Sequence, residues 1–156
     1  RNRGDMMAAS DAYALAYDDY VRALKLDPRD PAALDGLTRT AVLTGRAQDA
    51  LGWVKALTAD APSVDASVAN ARLLAAANLR ADAVSAARQG CDTAPREPRL
   101  CEQLASLHAD AGDRAALEPV VHTLEALQPD AAATHYYAAV AAFLAGNTEA
   151  ALQRAE

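Results

Sequence analysis

The chain has 156 residues, a formal net charge of −6 and only 4% aromatic residues. Alanine accounts for roughly a quarter of the residues, so the composition predicts closely packed helices and leaves too few strand formers for a sheet. The chain is acidic and has only two lysines, Lys25 and Lys55, so nucleic acid is disfavoured as a partner. No apolar stretch approaches the roughly 20 residues that cross a bilayer, which predicts a soluble chain without membrane insertion.

From residue 31 onward, apolar residues recur at three- and four-residue steps, as in Leu34, Leu37 and Ala41, which places them along one side of a helix. An acidic residue followed by proline, as in Asp30-Pro31, indicates a helix start. In chain order these signals predict helices at residues 31–44, 47–60, 65–77, 80–93, 98–111, 114–128 and 131–145.

Two sets of helix-ending residues recur with one period. The prolines Pro28, Pro62, Pro95 and Pro129 stand at spacings of 34, 33 and 34 residues. The turn-forming residues Gly45, Asn78, Gly112 and Gly146 stand at spacings of 33, 34 and 34 residues, out of phase with the prolines. Glycine and asparagine accept the left-handed backbone that ends a helix, and proline stops a helix or begins the next. Each period therefore contains two helices.

Two segments carry a resemblance to a known family. Residues 45–51 (Gly-Arg-Ala-Gln-Asp-Ala-Leu) and 146–152 (Gly-Asn-Thr-Glu-Ala-Ala-Leu) are similar to the turn and second-helix start of the tetratricopeptide repeat, with Ala50 and Ala151 at the small position where paired helices approach most closely. A whole second helix of the family, with its aromatic, alanine and proline landmarks, is matched by Tyr13, Ala16, Tyr20, Ala23 and Pro28 of this chain.

The resemblance implies an all-α fold, a right-handed solenoid of αα-hairpins with about four to five repeats. Residues 1–156 would form a single solenoid domain. Its repeats would cover residues 1–30 in part, 31–64, 65–97, 98–131 and 132–156 in part. The alternative is another αα solenoid, and the observed period is shorter than that of HEAT or armadillo repeats.

Several landmarks of the family are replaced. The family has a large aromatic residue in the first helix, and this chain has Leu34, Cys101 or His135 there. At the position where the family usually has a glycine after the first-helix leucine, the chain has Thr38, Arg72, Ala105 or Ala139. Pro119 falls inside a predicted helix, where it should kink that helix or move its start to about Glu118. At the N-terminus, Gly4 and Met7 are typical of the end of a first helix. We therefore expect the chain to be part of a longer repeat protein whose truncated ends could self-associate.

No motif for catalysis or cofactor binding is found. The histidines His108, His122 and His135 do not have metal-ligand spacing with each other or with the cysteines. His108 and His122 could meet across two helices, but two separate half-buried side chains are the simpler interpretation. No phosphate-binding loop or nucleophile elbow is present. The sequence therefore predicts no enzyme activity, no cofactor, no metal and no small-molecule substrate.

Cys91 and Cys101 lie on either side of one predicted turn. A disulfide between them would join neighbouring helices and would imply an oxidising compartment, such as the periplasm. The alternative is two buried, reduced cysteines in a cytoplasmic protein, because free cysteine is commonly buried.

The resemblance also implies a concave groove lined by the first helix of each repeat. Its lining would include Asp35, Arg39, Val42, Leu73, Ala76, Ala77, Glu102, Ser106, Tyr136, Val140 and Phe143. Asp35 and Arg39 replace the lysine and asparagine with which some family members hold a terminal carboxylate, so that type of clamp is disfavoured. The predicted function is a scaffold that binds a protein or peptide segment. The alternatives are a structural spacer or self-assembly module, and a non-catalytic arm of a larger protein.

Overall fold

A computed structural model describes residues 2–94 and 96–155, with side chains for residues 11–94 and 96–153. The described backbone is helical, with short turns between helices and no strands. The helices are α1 (Asn2–Leu26), α2 (Pro31–Leu43), α3 (Ala47–Thr58), α4 (Val64–Ala76), α5 (Arg80–Thr93), α6 (Pro98–Asp110), α7 (Arg114–Leu127), α8 (Ala132–Leu144) and α9 (Thr148–Ala155). The chain forms two compact units: unit 1 comprises residues 1–83 and unit 2 comprises residues 84–156.

The predicted turns are confirmed by the backbone. Gly45, Asn78, Gly112 and Gly146 all have positive φ angles, between 60° and 77°. Asn78 is the only one of the four that carries a side chain, and asparagine tolerates this region better than most residues. The predicted helices from residue 31 onward are found with ends that differ by a few residues. Of the proline series, Pro95 lies outside the described residues.

Helix starts follow the sequence signals. The Asp30 carboxylate accepts hydrogen bonds from the backbone N–H groups of Ala32 and Ala33, and Pro31 occupies the first turn of α2. Glu97 caps α6 in the same way, accepting from the Arg99 N–H. The Arg99 side chain also donates to this carboxylate, which lowers the pKa of Glu97. These caps satisfy N–H groups that have no partner inside the helix.

The N-terminal region differs from the expectation. Two helices were predicted there, the first ending near Gly4 and Met7, but the backbone forms one continuous helix from Asn2 to Leu26. Alanine-rich sequence follows Gly4, and a single glycine costs a helix only about 1 kcal/mol. The Met7 side chain lies outside the described residues.

Pro119 does not move the start of its helix. Helix α7 begins at Arg114, and the Asp113 side chain caps it by accepting from the Ala116 N–H at 3.1 Å. Pro119 therefore lies inside the helix, where its missing N–H leaves one intrahelical hydrogen bond unmade. The alternative of a helix starting at Glu118 is wrong.

Unit 1 is built around α2, which contacts α1, α3 and α4. Its fully buried large side chains are Tyr17, Leu24, Leu34, Leu37, Thr38, Val54 and Leu73. Burying a leucine or valine in this way stabilises the fold by about 1.5–3 kcal/mol. Thr38, at a position where the family has glycine, fits because its hydroxyl donates to the Leu34 carbonyl oxygen at 2.8 Å.

Unit 2 contains two helical hairpins, in which α6 contacts α7 and α8 contacts α9. Helix α8 also contacts α6 and α7. The core leucines are Leu100, Leu104, Leu107, Leu117 and Leu124. Cys91 on α5 and Cys101 on α6 form a disulfide with a Cα–Cα distance of 4.7 Å, so the bridged alternative is the one observed. Among the described residues, no helix is long and apolar enough to span a membrane.

Candidate interaction face

Three of the predicted groove residues lie on the outer side of α2 in unit 1. Asp35, Arg39 and Val42 are exposed and follow one another at helical steps; we call them the α2 face. Arg39 pairs with Asp35 at 3.4 Å, and Arg72 of α4 pairs with the other oxygen of the same carboxylate at 3.0 Å. One carboxylate therefore serves two guanidinium groups, so Asp35, Arg39 and Arg72 together carry a net positive charge.

Leu73 does not line this face. Its side chain is 0% exposed, so it belongs to the core. Counted back from the left-handed residue that ends each turn, Leu73 is in register with Thr40, Leu107 and Ala141, which are also buried. The residue in register with Arg39 is Arg72. The prediction was displaced by one residue because the third repeat is one residue shorter than its neighbours.

Two predicted groove residues from α6 lie on one side of that helix in unit 2. Glu102 and Ser106 are half-buried, and Asp110, which the prediction missed, continues the row at the same helical step. Glu102 accepts a hydrogen bond from Gln128 Nε2 at 2.6 Å. Neither Glu102 nor Asp110 forms an ion pair with a described basic side chain. Arg99, the nearby cation on α6, pairs with Glu97 at 2.7 Å.

The predicted groove residues of α8 form an apolar row beside α6. Tyr136 and Phe143 are 61% and 64% exposed, and Val140 between them is half-buried. We refer to Glu102, Ser106, Asp110, Tyr136, Val140 and Phe143 together as the α6/α8 face. Aromatic residues are rare in this chain, so two that are mostly exposed on one helix mark an unusual surface.

Tyr137 joins the two helices of this face. Its ring meets Tyr136 edge to face with 5.1 Å between ring centroids. Burial raises the pKa of Tyr137, the Ser106 side chain partly offsets this, and the charges of Glu102 and Asp110 raise the pKa further. Both carboxylates therefore act on the same part of the surface as the aromatic row.

The three histidines lie in separate surroundings. His108 is buried beside Arg88, with 3.4 Å between their nitrogen atoms, whereas His122 is exposed and lies 3.2 Å from Glu125. His135 is exposed on α8. In the described part of the chain, no three histidine, cysteine or acidic residues are grouped as metal ligands would be.

Two clefts lie near these faces. In unit 1, Val42, Ala76 and Ala77 line a cleft of about 520 Å³ together with the turn at Gly45 and Arg46. In unit 2, a smaller cleft of about 240 Å³ lies on the α7 side of α8, with alanines such as Ala138 and Ala142 as its floor. Both clefts are open to the surface rather than enclosed.

No protein-family model matches the sequence, and no curated protein matches it. Solved structures do match over almost the whole chain. TTC0263, a thermophilic TPR protein of Thermus thermophilus, is 25% identical with a TM-score of 0.71, covering 98% of this chain and 84% of its own. MamA is 17% identical with a TM-score of 0.68, covering 97% and 90%. YrrB, described as a TPR protein with an unusual peptide-binding site, is 17% identical with a TM-score of 0.62, covering 98% and 79%.

The paired helices, the repeated left-handed turns and these matches define an all-α helical-repeat protein. The repeats resemble those of these TPR structures in fold, which confirms the resemblance inferred from the sequence: the chain has a tetratricopeptide-repeat-like fold.

Proposed function

We propose that this chain is a protein-interaction scaffold that binds a peptide or protein segment on the side of its first helices. The contact surfaces would be the α2 face in unit 1 and the α6/α8 face in unit 2, as parts of the concave groove that the resemblance implies. We assign it no reaction, and a polypeptide is the partner rather than a nucleic acid or a small molecule.

The observation that carries this proposal is the exposed aromatic row on α8. Tyr136 and Phe143 each leave more than half of their surface open. Exposing large apolar side chains lowers solubility and adds nothing to folding, so such residues commonly serve an interface. Tyrosine and phenylalanine are also enriched where protein partners meet. The likeness in fold to YrrB, whose description includes a peptide-binding site, supports the same interpretation.

A self-assembly module is the second candidate. Leu152 on α9 is 70% exposed, so unit 2 presents apolar surface outside the α6/α8 face as well. A second copy could cover that surface. This candidate predicts a concentration-dependent mass in solution, whereas a scaffold for another protein remains monomeric until its partner is added.

We also propose an oxidising compartment, such as the periplasm, for this chain. The support is the Cys91–Cys101 disulfide, together with the absence of any other cysteine in the sequence. Disulfides of this kind persist outside the reducing cytosol. Blocking free thiols at the moment of cell lysis would test this, since a compartment that keeps both cysteines reduced would leave both open to the reagent.

The scaffold function is tested by quantitative partner capture from an extract of the source cells. Three baits are compared: the wild type, the double variant Tyr136→Ser with Phe143→Ser, and Leu152→Ser. The control changes an equally exposed apolar residue of the same unit outside the face. We expect the double variant to lose the partners that the wild type and the control retain. Equal recovery by all three baits would contradict the proposal.

A further inference from the structure

The charges around the aromatic row are of one sign. On the α6/α8 face, Glu102 and Asp110 supply two carboxylates, and α8 itself contains no acidic residue, lysine or arginine. Arg99 is engaged by Glu97, and the hydrogen bond that Glu102 accepts from Gln128 comes from a neutral amide. An amide donor leaves the carboxylate its charge and most of its acceptor capacity. The apolar row is therefore bordered by negative charge that no described basic side chain neutralises.

The geometry of the two rows limits the partner further. Glu102 and Asp110 are two turns apart on α6, which corresponds to about 12 Å along the helix. In an extended chain, residues four positions apart span about 13 Å and point to the same side, as does the residue midway between them. A segment lying along α6 would thus direct two side chains to the carboxylates and a third, between them, to the neighbouring aromatic row.

From these observations we propose that the α6/α8 face binds a cationic, extended peptide segment in which an apolar residue lies midway between two lysines or arginines. This proposal rests on the proposed scaffold function and adds the chemistry of the partner. The apolar residue would pack over Val140, between Tyr136 and Phe143, and the two basic residues would pair with Glu102 and Asp110. Such pairing selects partners by charge, because an acidic segment would meet like charge on both sides of its anchor.

The α2 face provides an internal contrast within the same chain. There the carboxylate of Asp35 is already shared between Arg39 and Arg72, so the local charge is positive. A cationic segment gains nothing on that surface. The preference for basic partners is therefore predicted for the α6/α8 face alone, and removing the two carboxylates of α6 should abolish it.

The test is selection from a displayed library of random peptides, using the full chain with its disulfide intact. We expect the recovered peptides to contain lysine and arginine at least about tenfold more often than aspartate and glutamate, with basic residues about four positions apart around an apolar residue. The double variant Glu102→Gln with Asp110→Asn keeps the size of both side chains and should recover peptides without this excess. The control Asp18→Asn with Asp19→Asn removes two exposed carboxylates from α1 and should keep the excess.

Neutral or acidic peptides recovered by the wild type would overturn the inference, as would a basic excess that survives in the Glu102→Gln, Asp110→Asn variant. The scaffold function has a separate readout. If the Tyr136→Ser, Phe143→Ser variant recovers the same peptides as the wild type, the α6/α8 face is not a binding surface, and both the inference and the scaffold role of this face fail. If that variant recovers none but the wild-type peptides show no charge preference, the scaffold function stands and the cationic partner is wrong. Failure of the wild type to recover any peptide, or its self-association through this face in sedimentation, would also overturn the inference.

Discussion

Leu100 of α6 fills the space in which a Cβ on Gly90 of α5 would lie. A methyl group added at Gly90 would overlap sterically with Leu100 Cδ1, and Leu100 is almost fully buried. The neighbouring residues, Cys91 and Cys101, form the disulfide between the same two helices. A glycine and a covalent bond therefore allow α5 and α6 to approach closely inside unit 2.

The first prediction concerns this contact. Gly90→Ala should lower the free energy of unfolding by about 1–3 kcal/mol, because the buried leucine has no free space into which to move. Gly52→Ala is the matched control, since Gly52 lies within α3 with no atom near the position of an added Cβ. That control should stabilise the chain by about 0.5–1 kcal/mol through helix propensity. Urea unfolding of both variants measures the difference, and equal effects would contradict the packing described.

The second prediction concerns the small residue at the closest approach of paired helices. Ala50 is fully buried on α3, and Ala83 is likewise buried on α5, as the repeat pattern predicts, whereas Ala151 is only half-buried. Ala50→Leu should overpack its site and cost about 1–3 kcal/mol in thermal unfolding. Ala56→Leu changes an exposed alanine of the same helix and should leave the melting temperature nearly unchanged. A similar small shift for both variants would invalidate the repeat alignment.

The third prediction concerns the disulfide. It closes a short loop, so its removal should destabilise unit 2 by about 2–4 kcal/mol through the entropy of the unfolded chain. The variant Cys91→Ala with Cys101→Ala removes the bond without leaving thiols. Adding a reductant should lower the stability of the wild type to a similar extent and leave this variant unaffected. Intact mass under non-reducing conditions checks the bond directly, and free reaction of both thiols with a labelling reagent would reject it.

The fourth prediction concerns the α2 face. If the partner contacts Arg39, Arg39→Glu should weaken binding by about 1–3 kcal/mol through loss of a charge-assisted hydrogen bond. The fold should persist, because the Arg39–Asp35 pair is exposed and such pairs contribute less than about 1 kcal/mol. Arg22→Glu is the control, since Arg22 forms a similar exposed pair with Asp19 on α1. Titration of the captured partner with each variant measures the two binding affinities. Equal affinities would show that Arg39 is not part of the binding surface.

The helices from residue 31 onward could be predicted because glycine, asparagine and proline act locally. A left-handed residue such as Asn78 ends a helix whatever lies around it, and a capping pair such as Asp30-Pro31 begins one. The continuous α1 was not predicted, because Gly4 is typical of a helix end, whereas a single glycine costs a helix only about 1 kcal/mol and the helix continues through it.

The candidate site was predicted less completely, because its residues depend on register and on contacts between helices. Leu73 was assigned to the surface, yet its register with Leu107 places it in the core, and Arg72 takes the exposed position. Asp110 and Tyr137 gain their importance from the packing of α8 against α6, which no spacing within either helix reveals. Arg39 and Arg72 each lie six residues before a left-handed residue, Gly45 and Asn78, so those turns and not the prolines set the register.

The most direct measurement of the central claim is site-specific photo-crosslinking. A photoreactive amino acid is placed at Tyr136, on the α6/α8 face, or at Leu152, which is similarly exposed on α9. Each protein is irradiated in an extract of the source cells. The scaffold account predicts a crosslinked polypeptide from position 136 that is absent from position 152 and disappears when Phe143→Ser is added. Crosslinks confined to position 152, or products from position 136 that Phe143→Ser leaves unchanged, would contradict it.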